Sequence, residues 1–212
     1  MTNTHSNREK SSITKLTITA MLTAVAVVLQ YIEFPLPGIV PEFLKFDFSD
    51  LPELIGAFTI GPIYGVIIAF LKNLIHLPFG SSMGVGELSN FLLGAVFAFT
   101  AGMIYKHKTT RKGALLGCLA GAAAMALVSL PTNYFIVFPA YAQLWCKGNM
   151  DIIIRMYKAI LPASDNLIKC LVIFNVPFTL FKGLAVAIIT MLIYKPLSKL
   201  FAQMNKAFAK KK

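Results

Sequence analysis

Apolar residues in this chain gather in long blocks instead of alternating with polar ones. Four stretches reach the roughly 17–25 residues needed to cross a hydrocarbon core as a helix: Ile13–Ile32, Gly86–Tyr105, Gly113–Tyr141 and Leu167–Tyr194. A fifth, Leu51–Pro78, contains Ile60-Gly61-Pro62, where proline removes a backbone donor and glycine permits a turn. It reads either as one kinked span or as two short ones.

Charge separates these readings, because Lys and Arg accumulate on the cytoplasmic side of membrane proteins. Basic residues cluster before the first span (Arg8, Lys10, Lys15), in the loop after Tyr105 (Lys106, Lys108, Arg111, Lys112) and at the C-terminus (Lys195, Lys199, Lys206, Lys210, Lys211, Lys212). All three clusters share one side only if Leu51–Pro78 crosses twice. Thirteen basic residues and one acid, Glu9, then lie inside, while the other seven basic and eight acidic residues lie outside or within the spans. The expectation is an all-α membrane protein, a six-transmembrane-helix bundle with both termini cytoplasmic. It would form one integral membrane domain over residues 1–212: a polar tail (1–12), the bundle (13–194) and a basic tail (195–212).

Composition supports the membrane class, with 57% hydrophobic and 14% charged residues against about 25% charged in soluble domains. The net charge of +11 is split between tails and one loop, so it points to lipid headgroups and away from nucleic acid. The N-terminal tail has no cleavage site and precedes a full span, which makes that span its own insertion signal. Cys118, Cys146 and Cys170 show no metal spacing. Cys118 is expected to be buried; Cys146 and Cys170 can meet on the outer side, but an odd count argues against a disulfide framework.

Polar groups inside lipid cost several kcal/mol unless they face protein or water. Lys72, Asn73 and His76 fall near the outer end of the third span, and Ser129, Thr132 and Asn133 in the outer half of the fifth. In the last span Asn175, Thr179 and Lys182 are spaced i, i+4, i+7 and share one helical face. The stripes fit a shared ligand pocket or interhelical hydrogen bonds worth about 0.6 kcal/mol each; Lys182 is too costly for the second role. The first outer loop, Glu33–Asp50, holds three prolines and four phenylalanines. It suits closure over a flat ligand, or an interfacial aromatic belt. Asp50 is placed to cap the helix that follows. The second outer loop, PFGSSMGVGELSN, either folds over the pocket or connects spans. Glu87 is the one acid with scope for proton chemistry, although a carboxylate at a helix start is the simpler reading. No phosphate-binding loop, HExxH or GxSxG is present, so a solute-binding protein without its own ATPase, and not an enzyme, is expected.

The strings LKFDFSDLPELIG, GPIYGVIIAFLKNLIHL, GVGELSNFLLG, PTNYFIVFPAY and VPFTLFKG occur in this order. Together they resemble the riboflavin-specific substrate-binding (S) component, RibU type, of energy-coupling factor (ECF) vitamin transporters in the bacterial cytoplasmic membrane. The resemblance implies riboflavin as a transported ligand, with no cofactor, enclosed by the first outer loop (Leu44, Lys45, Phe46, Asp47) and the outer halves of later helices. It implies that Asn133 hydrogen-bonds the isoalloxazine ring and that Lys182 contacts the ligand. The family can carry asparagine where this chain has Thr179, whose hydroxyl has a shorter reach and fewer donors. The resemblance also implies a transmembrane scaffold (T) subunit and two ATPase subunits as partners. Ala20 and Ala24, four apart in AMLTA, match an Ala-x-x-x-Ala pair that meets the scaffold. Such pairs are also common in membrane helices. The alternatives are an S component for another vitamin or FMN, a stand-alone carrier, and a membrane enzyme.

Overall fold

The computed structural model describes residues 2–209, with side chains described over 12–195. Of the tail cations counted above, Lys210, Lys211 and Lys212 lie outside the described residues, and the side chains of Arg8, Lys10, Lys199 and Lys206, like that of Glu9, lie outside the described side chains. Most of the described chain is helical: α1 (Thr2–Tyr31), α2 (Asp50–Thr59), α3 (Pro62–His76), α4 (Val85–His107), α5 (Arg111–Thr132), α6 (Phe138–Trp145), α7 (Met150–Lys158), α8 (Leu167–Cys170) and α9 (Val176–Ala209). Within the expected tails, residues 2–12 belong to α1 and residues 195–209 to α9.

Among the described residues, five runs are long and apolar enough to cross a membrane: Ser12–Tyr31, Pro62–Phe79, Val85–His107, Arg111–Trp145 and Leu167–Lys195. The Leu51–Pro78 stretch is two helices. α2 stops at Thr59 and α3 starts at Pro62, with Gly61 between them at φ 137°, a conformation that glycine alone adopts readily. α2 has ten residues, so it is roughly 15 Å long, half of a hydrocarbon core about 30 Å thick.

α4 packs between α3 and α5, α5 packs on α9, and α2 lies among α1, α3, α4 and α9. Small residues bring these axes together: a Cβ on Gly117 of α5 would stand 2.7 Å from the Ala101 carbonyl oxygen of α4, so only glycine fits there. Leu54, Phe58, Phe97, Cys118, Met125 and Val186 form one apolar core, and Val137, Phe138, Tyr141, Tyr157, Leu171 and Phe174 belong to a second. Cys118 is buried in the first; Cys146 and Cys170 are both in the second, and all three thiols are free.

Two helical runs change register beside the second core. Five-residue π-helical turns occupy Asn133–Val137 and Leu171–Asn175. Pro139 and Pro177 stand four residues beyond the centres of these turns. A proline ring clashes with the carbonyl four residues back, and widening the turn relieves that clash.

Residues 33–49 join α1 to α2 and carry a short antiparallel pair, β1 (Phe34–Pro35) with β2 (Lys45–Phe46), in the register Phe34↔Phe46 and Pro35↔Lys45. The expected capping role of Asp50 is not what forms. Ser49 occupies the cap position without a side-chain capping bond, its hydroxyl instead accepting from Lys72, and Asp50 is the first helical residue, its carboxylate turned to Lys72. A buried ammonium binds a carboxylate more strongly than a neutral backbone N–H does.

Candidate ligand-binding site

The 33–49 loop, the end of α1, the start of α4, both π-helical turns and α9 enclose a cavity of about 380 Å³, a size suited to a small organic ligand. Leu44, Lys45, Asp47, Asn133, Thr179 and Lys182 all line it. Phe46 stands behind the lining: it is buried and packs against Phe34, Phe48, Phe178 and Phe181, of which Phe178 reaches the cavity. Of the other polar residues in the spans, Asn175 joins the lining, whereas Ser129, Thr132, Lys72, Asn73 and His76 do not.

One wall is aromatic. Phe43 meets Phe138, Tyr141 and Trp145 with ring centroids 6.0, 5.8 and 6.4 Å away, and all four line the cavity. Such rings offer flat apolar surface with little rotamer entropy to lose. The polar groups facing them come from the helices. Asn133 (3% exposed) and Thr179 (7% exposed) have no side-chain hydrogen-bond partner among the described residues. Asn175 is already engaged, since the buried Tyr157 hydroxyl donates to its Oδ1 at 2.6 Å. Buried polar groups are normally hydrogen-bonded, so Asn133 and Thr179 are available to whatever fills the cavity.

Lys182 sits in a charged cluster at one side of the cavity. Its Nζ donates to Asp47 Oδ2 at 2.9 Å and Asn90 Oδ1 at 3.1 Å, with Asp50 Oδ2 3.4 Å away. Lys72, fully buried, donates to Ser49 Oγ and to Asp50 Oδ1 at 2.8 Å, and lies 2.6 Å from Glu53 Oε1. Burial alone would raise the Asp47 carboxyl; the Lys182 and Lys72 ammonium groups outweigh it and hold the group below the usual carboxylate range. The Asp47–Lys182 contact is therefore an ion pair at neutral pH. It also fastens the loop to α9.

Elsewhere on the rim, Lys45 pairs with Glu33, and Glu87, in the first turn of α4, accepts from Ser82 Oγ at 2.6 Å and meets His76 Nδ1 at 3.0 Å. The second outer loop thus contributes walls: Ser81, Ser82, Gly86, Glu87, Ser89 and Asn90 all line the cavity. In total the lining carries five carboxylates (Glu33, Glu42, Asp47, Asp50, Glu87) and two ammonium groups (Lys45, Lys182), both of the latter paired.

Sequence reasoning missed Asn90, Phe43, Phe138 and Tyr141. Asn90 falls three residues after Glu87 and so on the same helical face, the one local hint available. Ala20 and Ala24 are exposed on α1, outside the cavity lining.

Residues 14–194 match the family described as ECF transporter, substrate-specific component. The chain is 34% identical to the riboflavin transporter RibU of Staphylococcus aureus (strain TCH60), over 87% of this chain and 90% of that one. It is 31% identical to the riboflavin transporter FmnP of Bacillus subtilis (strain 168), over 92% and 97%. A solved structure reported as the structure and mechanism of the S component of a bacterial ECF transporter superposes with a TM-score of 0.71 at 34% identity, covering 89% of this chain and 98% of that one.

Proposed function

The chain belongs to the substrate-specific components of ECF transporters, and on that premise we propose that it binds riboflavin in the 380 Å³ cavity and hands it inward with an ATP-driven partner module. It is a membrane-bound transport component and not an enzyme. The observation that carries the ligand assignment is the pairing of an aromatic wall with Asn133 and Thr179, buried polar side chains that have no partner among the described residues. A planar heteroaromatic ring with carbonyl and N–H edges complements both halves. In this reading Asn133, Thr179 and Lys182 bind the ring's polar atoms, Leu44 and Lys45 close over it, and Phe46 supports the wall through Phe178. Unpaired, each polar group would cost about 1–3 kcal/mol, which discriminates against analogues lacking the matching atoms.

The charge inventory favours the vitamin over its phosphate. With five carboxylates against two paired ammonium groups in the lining, an added dianion would face net repulsion. A six-helix arrangement in the bacterial cytoplasmic membrane, with the short α2 descending from the outer side, α3 returning to it and both termini cytoplasmic, is supported by the clustering of Lys and Arg. The cavity then opens outward. A scaffold T subunit and two ATPases supply the energy, with Ala20 and Ala24 on the docking face of α1.

The test is the absorbance spectrum of the purified protein followed by titration with riboflavin and with FMN. Flavin absorbance on isolation, and tighter binding of riboflavin than of FMN, are expected. A colourless protein that binds neither flavin overturns the assignment and favours another vitamin. Riboflavin uptake by this chain alone in proteoliposomes would make it a stand-alone carrier.

A further inference from the structure

We propose that Asp47 and Asn90 are positioning residues that hold the Lys182 ammonium with one of its three N–H donors left for the ligand. A lysine side chain is long and loses much rotamer freedom when fixed. Lys182 is fixed from two further elements: Asp47 from the loop at 2.9 Å and Asn90 from α4 at 3.1 Å. Asp47 is itself held, because the Ser49 backbone N–H donates to its other oxygen at 2.7 Å. An ammonium has three donors and no acceptor. Asp47 and Asn90 engage two of them by hydrogen bonds, Asp50 Oδ2 stands 3.4 Å away as an ion-pair neighbour without a hydrogen bond, and Lys182 still lines the cavity. Lys72 provides the contrast. Ser49, Asp50 and Glu53 surround its ammonium, the residue is fully buried, and it is absent from the lining. Two buried lysines of one cluster therefore differ in function: Lys72 holds protein to protein, and Lys182 keeps a donor in reserve.

This arrangement has two consequences. The ligand does not carry the ordering cost of the lysine, because the protein has already met it. With Asp47 and Asp50 beside it, the Lys182 charge is balanced, so its remaining donor suits an uncharged acceptor such as a ring carbonyl.

The inference rests on the riboflavin reading for its probe. Riboflavin affinity is measured by flavin fluorescence quenching for wild type, Asp47→Asn, Lys182→Gln and the double variant. Loss of a hydrogen bond to a charged group predicts roughly tenfold or more weakening in each single variant. Because Asp47 acts through Lys182, the double variant should bind no more weakly than Lys182→Gln by more than about twofold. Losses that multiply, or an Asp47→Asn variant with wild-type affinity, overturn the proposal. Asn90→Leu tests the second partner independently of any folding defect in the double variant. Leucine fills the same volume, so packing alone predicts retained affinity, whereas the proposal predicts a loss that vanishes in the Lys182→Gln background. If wild type binds no riboflavin, the riboflavin assignment fails; if it binds and the losses multiply, only this inference fails.

Discussion

Buried side chains that would be costly in lipid divide into those already partnered and those that are not, and each class makes its own prediction. Lys72 is partnered by Ser49, Asp50 and Glu53 with no exposed surface. Removing one member of such a buried pair leaves the others uncompensated, at a cost of about 3–5 kcal/mol. Lys72→Met should therefore lower the melting temperature in detergent markedly; an unchanged melting curve would show the cluster to be dispensable for folding. Asn133 lines the cavity with no protein partner among the described residues, so Asn133→Ala removes little from the fold. It should weaken riboflavin binding by about 1–3 kcal/mol, read by isothermal titration, with the apo melting temperature near wild type. Lys182→Ala should weaken binding as well, and unchanged affinity in both variants would refute the site. Asn133, Thr179 and Lys182 were legible in the sequence because an amide, hydroxyl or ammonium within an apolar span demands a reason. The partners of Lys182 were not: Asp47 and Lys182 are 135 residues apart, and no local pattern links them. Asn90 was missed because a polar residue near a helix start is ordinary.

At the level of elements, the two π-helical turns decide where polar groups point. Each shares its site with a cavity-lining asparagine, Asn133 at the start of the first turn and Asn175 at the end of the second. Pro139→Ala removes the ring around which the first turn widens; tightening to α-helical register with no residue lost should rotate α6 by roughly 100° relative to α5. Phe138 and Tyr141 would then leave the cavity wall. The variant should insert normally yet lose riboflavin binding by more than about tenfold, checked by membrane fractionation and titration; retained affinity would mean the aromatic wall is not set by that turn. Apolar run length identified the spans and Gly61-Pro62 the turn between α2 and α3, since both signals are local. The π register was hidden, because hydrophobic periodicity over a few residues does not separate 3.6 residues per turn from a single wider one. The β1–β2 pair was hidden too: two residues per strand leave no alternating pattern to read.

For the whole molecule, the question is how a bundle without an ATPase motif couples to an energy source. The cavity lining draws on the end of α1, the loop, α4, both π-helical turns and α9, and Ala20 and Ala24 are exposed on α1 outside that lining. The proposed binding and docking surfaces are thus separate, so they should be separable by substitution. On α1, Thr19, Thr23 and Ala26 turn inward and are buried, while Ala20, Met21, Ala24 and Val25 face outward. A bulky group at Ala20 consequently meets no described core residue, and the lipid-facing surface accommodates it. If a scaffold helix must approach this face closely, the same group holds it away, since small-residue interfaces owe their stability to backbone proximity. Ala20→Trp should leave riboflavin affinity within about twofold of wild type, yet abolish uptake in cells that supply the T subunit and ATPases, and abolish co-purification with them. Co-purification of an active complex carrying Ala20→Trp would move the docking surface elsewhere on the bundle. Loss of both binding and uptake would instead show that α1 communicates with the cavity through its packing on α3, and that the two surfaces are one mechanical unit.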